Sequence, residues 1–123
     1  MTDPKVLKQG TGWRLGWDPT AAEFVGLVGT EDWAIELTAA EFQDFCRLLQ
    51  QLAETMAAMA IELMPDERIA CEAESEWLWL AVEGYPHAYS LSLILHAGRR
   101  AEGTWPAAAV PGLLAATHAW AVF

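Results

Sequence analysis

The 123-residue chain is long enough for one domain with a real core and too short for several. Hydrophobic residues make up 54% of it, which excludes disorder, and 17 acidic against 7 basic residues give a formal charge of -10. That sign opposes phosphate backbones and anionic membranes, because both are bound largely through Lys and Arg.

No apolar run reaches the roughly 18 residues that a membrane span needs. The opening Met-Thr-Asp-Pro-Lys-Val-Leu-Lys lacks the apolar stretch of a secretory signal, so a cytoplasmic location with no membrane partner is expected. Cys46 and Cys71 make no disulfide framework, and both fall on apolar faces, where buried free thiols are expected.

In chain order, Trp13, Leu15 and Trp17 alternate with Arg14, Gly16 and Asp18 as a first strand, which Pro19 stops. A second short strand spans 24–29. Trp33, Ile35 and Leu37 alternate with Ala34, Glu36 and Thr38 as a third.

The period then changes. Thr38-Ala-Ala-Glu41 is a capping box, and Leu37 with Phe42 forms a hydrophobic staple across it. The helix is predicted to run to about Met64, before Pro65. Phe42, Phe45, Leu49, Leu52, Met56, Met59 and Leu63 form its stripe, widened by Leu48, Ala53, Ala57 and Ala60. About 25 residues give a rod near 37 Å, against about 20 Å for a six-residue strand. The surplus length suggests a second copy of the chain as partner.

Four strands follow, over 68–74, 77–83, 89–97 and 101–105, joined by turns at 75–76, 84–88 and 98–100. Pro106 and Pro111 lead into a short final helix with Leu113, Leu114, Thr117, Trp120 and Ala121. The expected class is α+β: one domain over 1–123, with an antiparallel sheet, a long central helix and a short C-terminal one.

An even-length turn at Ser75-Glu76 pairs Ala73 with Leu78, Cys71 with Leu80 and Ile69 with Val82. Leu91, Leu93 and Leu95 then join the same face, which is the expected core. The opposite face carries Glu72, Glu74, Trp77, Trp79, Ala81, Glu83, Ser90, Ser92, Ile94 and His96. Trp77, Trp79, Ile94 and His96 are thus a candidate contact surface. Three uses are open for its tryptophans. They are covered by protein, whether the first strands, the last helix or a second copy; they form an open recognition patch; or they stack bases. The glutamates argue against the third, since base-stacking platforms lie in positive grooves.

Nothing in the sequence assembles a catalytic set. His87, His96 and His118 show no metal-ligand spacing. Gly10-Thr-Gly12 leads into a strand, not a helix N-terminus, so no phosphate cradle is expected. Glu72, Glu74 and Glu76 read as a solvated strand edge. No cofactor and no enzymatic activity are expected. Lys5, Lys8 and Arg14 near the start, with Arg99 and Arg100 in the last hairpin, are a candidate anion-binding patch if the fold brings them together.

Gly-Trp-Arg-Leu-Gly-Trp-Asp at 12–18, Asp-Trp-Ala-Ile-Glu-Leu-Thr at 32–38, Glu-Gly-Tyr-Pro-His-Ala-Tyr-Ser-Leu at 83–91 and Gly-Arg-Arg-Ala-Glu-Gly-Thr-Trp-Pro at 98–106 carry a resemblance. With them the chain resembles the short cyanobacterial proteins of domain-of-unknown-function family 1818. The resemblance implies a strongly curved sheet and a fold similar to the Whirly and positive-cofactor group of single-strand DNA-binding transcriptional regulators, which often dimerise through helices. It implies no catalytic residues. The basic and aromatic sheet residues of those fold neighbours are replaced here by acid-rich faces. The expected function is a non-enzymatic, homodimeric module binding a protein or a small ligand, with a single-stranded nucleic-acid regulator as the alternative.

Overall fold

The computed structural model describes residues 5–118 apart from 63, 65, 97 and 98. Strands β1 (Val6–Gly10), β2 (Trp13–Trp17), β3 (Gly26–Gly29) and β4 (Ala34–Leu37) form one antiparallel sheet in that order. Helix α1 (Ala39–Met59) crosses to a second antiparallel sheet of β5 (Ile69–Glu74), β6 (Leu78–Tyr85), β7 (Ala88–Leu95) and β8 (Glu102–Trp105). A 3-10 turn at Ala107–Ala109 leads into α2 (Val110–His118). This is the α+β order read from the sequence, split into two sheets and with an edge strand added at the start.

Helix α1 begins where the capping box places it. The Thr38 hydroxyl accepts from the Glu41 amide at 3.2 Å, and Glu41 Oε1 accepts from the Thr38 amide at 2.9 Å. Both donors would otherwise be unpaired at the helix start. Phe42, Phe45, Leu48, Leu49, Leu52 and Met56 are all buried within the chain. The stripe therefore packs on the protein's own two sheets and on α2, as the contacts of α1 with β3, β4, β5, β6 and α2 show. The helix closes at Met59, short of Met64, and single turns continue through Glu62. Past Met56 burial falls off: Met59 is half-buried, its sulfur beside Cys71 of β5, and Ala57, Ala60 and Ile61 are exposed. Leu63 and the stop at Pro65 lie outside the described residues, as do Trp120 and Ala121 of the final helix and Gly98 of the last turn.

The β5–β6 register is displaced by two residues from the sequence expectation. Ala73 faces Leu80, Cys71 faces Val82 and Ile69 faces Gly84. The two-residue turn moves on by one, from 75–76 to 76–77, closed by the Ser75 amide donating to the Leu78 carbonyl at 2.9 Å. Ser75 Oγ accepts from the amides of Trp77 and Leu78 and favours the turn at this place. A shift of two preserves parity, so no side chain changes face. Ala73, Leu78, Leu80, Val82, Leu91, Leu93 and Leu95 are buried as expected.

Trp105 joins the two sheets. It is fully buried on β8, and its indole N–H donates to the Gly29 carbonyl of β3 at 2.8 Å. Its ring meets Trp33 edge-on at 4.8 Å and Phe45 of α1 at 5.7 Å. Gly103 leaves room for the Trp33 ring, which would collide with any Cβ there. Trp13 likewise fits between Gly10 and Gly112, which seats α2 on the first sheet.

Candidate functional site

The outer face of the second sheet follows from strand alternation. With Leu78, Leu80 and Val82 turned into the core, Trp77, Trp79 and Ala81 point outward. Trp79 stands across from Ile94, and Ile94 from Glu102. Ala81 stands across from Ser92, whose hydroxyl lies 3.2 Å from that of Thr104. Trp77 and Ile94 are each 38% exposed, and Trp79 is partly so. The first strands therefore do not cover these tryptophans, and neither does any described part of α2.

Carboxylates rim this apolar strip. The Trp79 indole N–H donates to Glu72 Oε2 at 3.2 Å, which turns the ring along the sheet. His96 Nε2 lies 2.8 Å from Glu74 Oε2, and the His96 amide donates to the Trp77 carbonyl at 3.0 Å. Arg68 donates to Glu83 Oε1 at 3.0 Å and lies over the Tyr85 ring at 5.5 Å. Glu102 is exposed at the fourth strand. The four predicted contact residues thus share one open surface. Glu102 belongs to it too, and the sequence signal for it is its place opposite Ile94 on an alternating strand.

The five basic residues stand in different settings, with Lys5 and Arg99 both near Phe24 of the first sheet. Arg14 donates from Nε to the Thr30 carbonyl at 2.6 Å and from its terminal nitrogen to the Trp33 carbonyl at 3.0 Å, closing the β3–β4 turn. Arg99 donates to Glu41 Oε1 at 2.6 Å and to the Glu36 carbonyl at 3.0 Å, with its guanidinium 4.5 Å from the centre of the Phe24 ring. Lys5 and Lys8 are exposed along β1 and its approach, and Arg100 is exposed in the last turn with a φ of 49°. Two of the five side chains are spent on backbone carbonyls.

The remaining reactive groups are dispersed. His87 stacks on Tyr85 at 5.9 Å, and His118 ends α2. Among the described residues no three of His, Cys, Asp and Glu converge on one point. Cys46 is buried, and burial pushes its thiol up to about 12. Cys71 is only half-buried, its sulfur 3.9 Å from that of Met59. Among the described residues no helix is long and apolar enough to cross a membrane.

Sequence reasoning does not single out the outer face of the first sheet. There Leu7, Gly16, Leu27 and Glu36 form one cross-strand row. With Phe24 and Lys5 they line a groove of about 240 Å³. Finding it requires β1, whose Val-Leu-Lys-Gln-Gly alternates too weakly to be read as a strand.

By architecture this is an α+β protein of two four-stranded antiparallel sheets joined by one long capped helix, with an open aromatic face on the second sheet. The chain belongs to the DUF1818 family, a domain of unknown function, whose family model matches residues 8–120. It is also similar to a crystal structure described as a protein with unknown function from the DUF155 family of Prochlorococcus sp. NATL2A. The two share 29% identity with a TM-score of 0.88, over 94% of this chain and 98% of that one. No curated protein matches it.

Proposed function

We propose that this protein is a non-enzymatic binding module, and that it takes a basic partner protein on the outer face of β5–β8. One observation carries the reading: Trp77 and Ile94 are 38% exposed together at the β5–β6 turn end of a face that carries several carboxylates. Exposed tryptophan beside exposed isoleucine forfeits burial energy, and contiguous apolar surface of that kind marks contact sites. Tryptophans at the centre of an interface carry much of its binding energy, and a polar rim excludes water around them. Glu72, Glu74 and Glu102 set the sign of the partner, since complementary charge steers encounter, while Glu83 is offset by Arg68. The same rim opposes a second copy placed face to face.

The test is site-specific photo-crosslinking from position 94, with position 108 as control, in cells that express the protein. The expected result is one basic protein captured from position 94 alone. Equal capture from both positions, or none from 94, contradicts the proposal.

The homodimer belongs to the proposal on a different surface, the end of α1. Ile61 and Met64 are 88% and 64% exposed there. Light scattering at micromolar concentration tests it, with Ile61→Glu expected to give monomer. A wild-type monomer removes the dimer and leaves the acid-rimmed face untouched.

Open tryptophans on a sheet also favour a second reading, the single-stranded nucleic-acid regulator that the Whirly resemblance implies. The acidic rim and the engagement of Arg14 and Arg99 with carbonyls weigh against it. Salt-sensitive binding of a labelled oligonucleotide, weakened by Arg99→Ala with Arg100→Ala, supports that reading. No binding at low salt removes it.

A further inference from the structure

Gly16 stands out among the described glycines. An added Cβ at Gly10, Gly26, Gly29, Gly103 or Gly112 would collide with a packed side chain or backbone, and Gly12 and Gly84 adopt positive φ, 81° and 144°. Gly16 has neither reason. A Cβ there meets Leu27 Cβ and Leu7 Cδ1 at 3.4 Å, which is ordinary contact. The sheet does not require glycine at this position, where Gly16 lies buried as the floor of a trough between Leu7 and Leu27.

The trough lies on the outer face of the first sheet. Leu7 and Leu27 flank Gly16 in register, and Phe24 closes one wall. Leu7 is 55% exposed, an apolar flank left open to solvent. The volume of about 240 Å³ exceeds the ~150 Å³ at which an apolar cavity admits a benzene ring.

The charges at the mouth are unevenly committed. Asp18 accepts from the Thr20 hydroxyl at 2.7 Å and the Thr20 amide at 3.1 Å, which hold its carboxyl below the ordinary value with a smaller share from the charge of Lys5. Arg99 is held by Glu41. Glu36 ends the Leu7–Gly16–Leu27 row, and its backbone carbonyl accepts from Arg99. Among the described residues its exposed carboxylate makes no hydrogen bond or ion pair. It stands two strand spacings from Gly16, about 10 Å.

We infer that this groove is a binding site for a small apolar amine, with the ring over Gly16 between Leu7 and Leu27 and the ammonium at the Glu36 carboxylate. The site is separate from the tryptophan face, and neither depends on the other.

Titration with phenethylamine, 2-phenylethanol and phenylacetate, followed by amide NMR shifts, tests this inference. The expected result is saturable movement of Gly16, Leu7 and Leu27, with the amine about threefold tighter than the alcohol and the acid weakest. Glu36→Gln should erase the preference for the amine while the alcohol still binds. Gly16→Val should weaken all three about tenfold, by filling the trough. Gly16→Ala, which adds only the tolerated Cβ, gives a smaller loss in a chain whose melting temperature is kept. No saturable shift with any probe overturns the inference, as does binding unaffected by Gly16→Ala and Gly16→Val, or phenylacetate binding as tightly as the amine.

Discussion

Arg99 and Glu41, 58 positions apart in the chain, meet at 2.6 Å between a guanidinium nitrogen and Oε1. The same carboxylate caps α1, and the same guanidinium holds the Glu36 carbonyl of β4. One ion pair therefore ties the last turn of the second sheet to the helix start and to the edge of the first sheet. Glu41 is only 5% exposed, so removing its cation leaves a carboxylate in a poor solvent. Arg99→Ala should lower unfolding stability by about 1–3 kcal/mol, toward the lower end because a third of Arg99 is open to water. Urea unfolding measures it. An unchanged midpoint would mean that the pair is ornamental.

Trp105→Phe keeps a ring in the core and removes the N–H that reaches Gly29. The Gly29 carbonyl, which lies opposite Arg14 in the β2–β3 ladder, then loses its buried side-chain donor. A loss of about 1–3 kcal/mol is expected, with both sheets unfolding in one transition. Two separate transitions would show that Trp105 is not what couples the sheets.

The alkaline limb of stability should carry the signature of Cys46. Its thiol rises from 9.0 to about 12 on folding, because burial disfavours the thiolate. The folded state therefore holds a proton that the unfolded state loses above pH 9. Stability from this group is complete below pH 9 and falls as pH rises toward about 12. Cys46→Val should flatten that fall. At pH 8, a thiol reagent should modify the half-buried Cys71 much faster than Cys46, and the reverse order would contradict the assigned burial.

Surface truncation should separate folding from recognition. Trp77→Ala with Ile94→Ala removes side chains that are already partly solvated, so unfolding stability should move by only about 0.5 kcal/mol per site. A collapse of the fold would instead mean that both residues are structural.

What the sequence makes legible is what local chemistry decides. The capping box at Thr38 and Glu41 is a pattern within four residues, and it forms as read. The core face of β6 and β7 follows from parity, so it survives a turn displaced by one residue, which shifts the register by two. The end of α1 is less legible. Ala57, Ala58 and Ala60 continue a good helix in sequence, and their exposure, which marks the place where it stops, is set by the fold. The fate of Arg14 and Arg99 is not legible at all. Each is drawn to carbonyls 16 to 63 positions away, and a charge committed to such a partner looks in sequence like a charge left to solvent. The groove at Gly16 is hidden for a related reason: it takes three strands in register to make it, and one of them is the weakly patterned β1.

The most direct measurement is calorimetric titration of the purified crosslinked partner against wild-type protein and the Trp77→Ala/Ile94→Ala variant. Loss of these aromatic and aliphatic anchors should weaken binding about a hundredfold. Added salt should weaken the wild-type complex further, through Glu72, Glu74 and Glu102. Equal affinity for the wild type and the double variant would contradict recognition through the outer face of the second sheet.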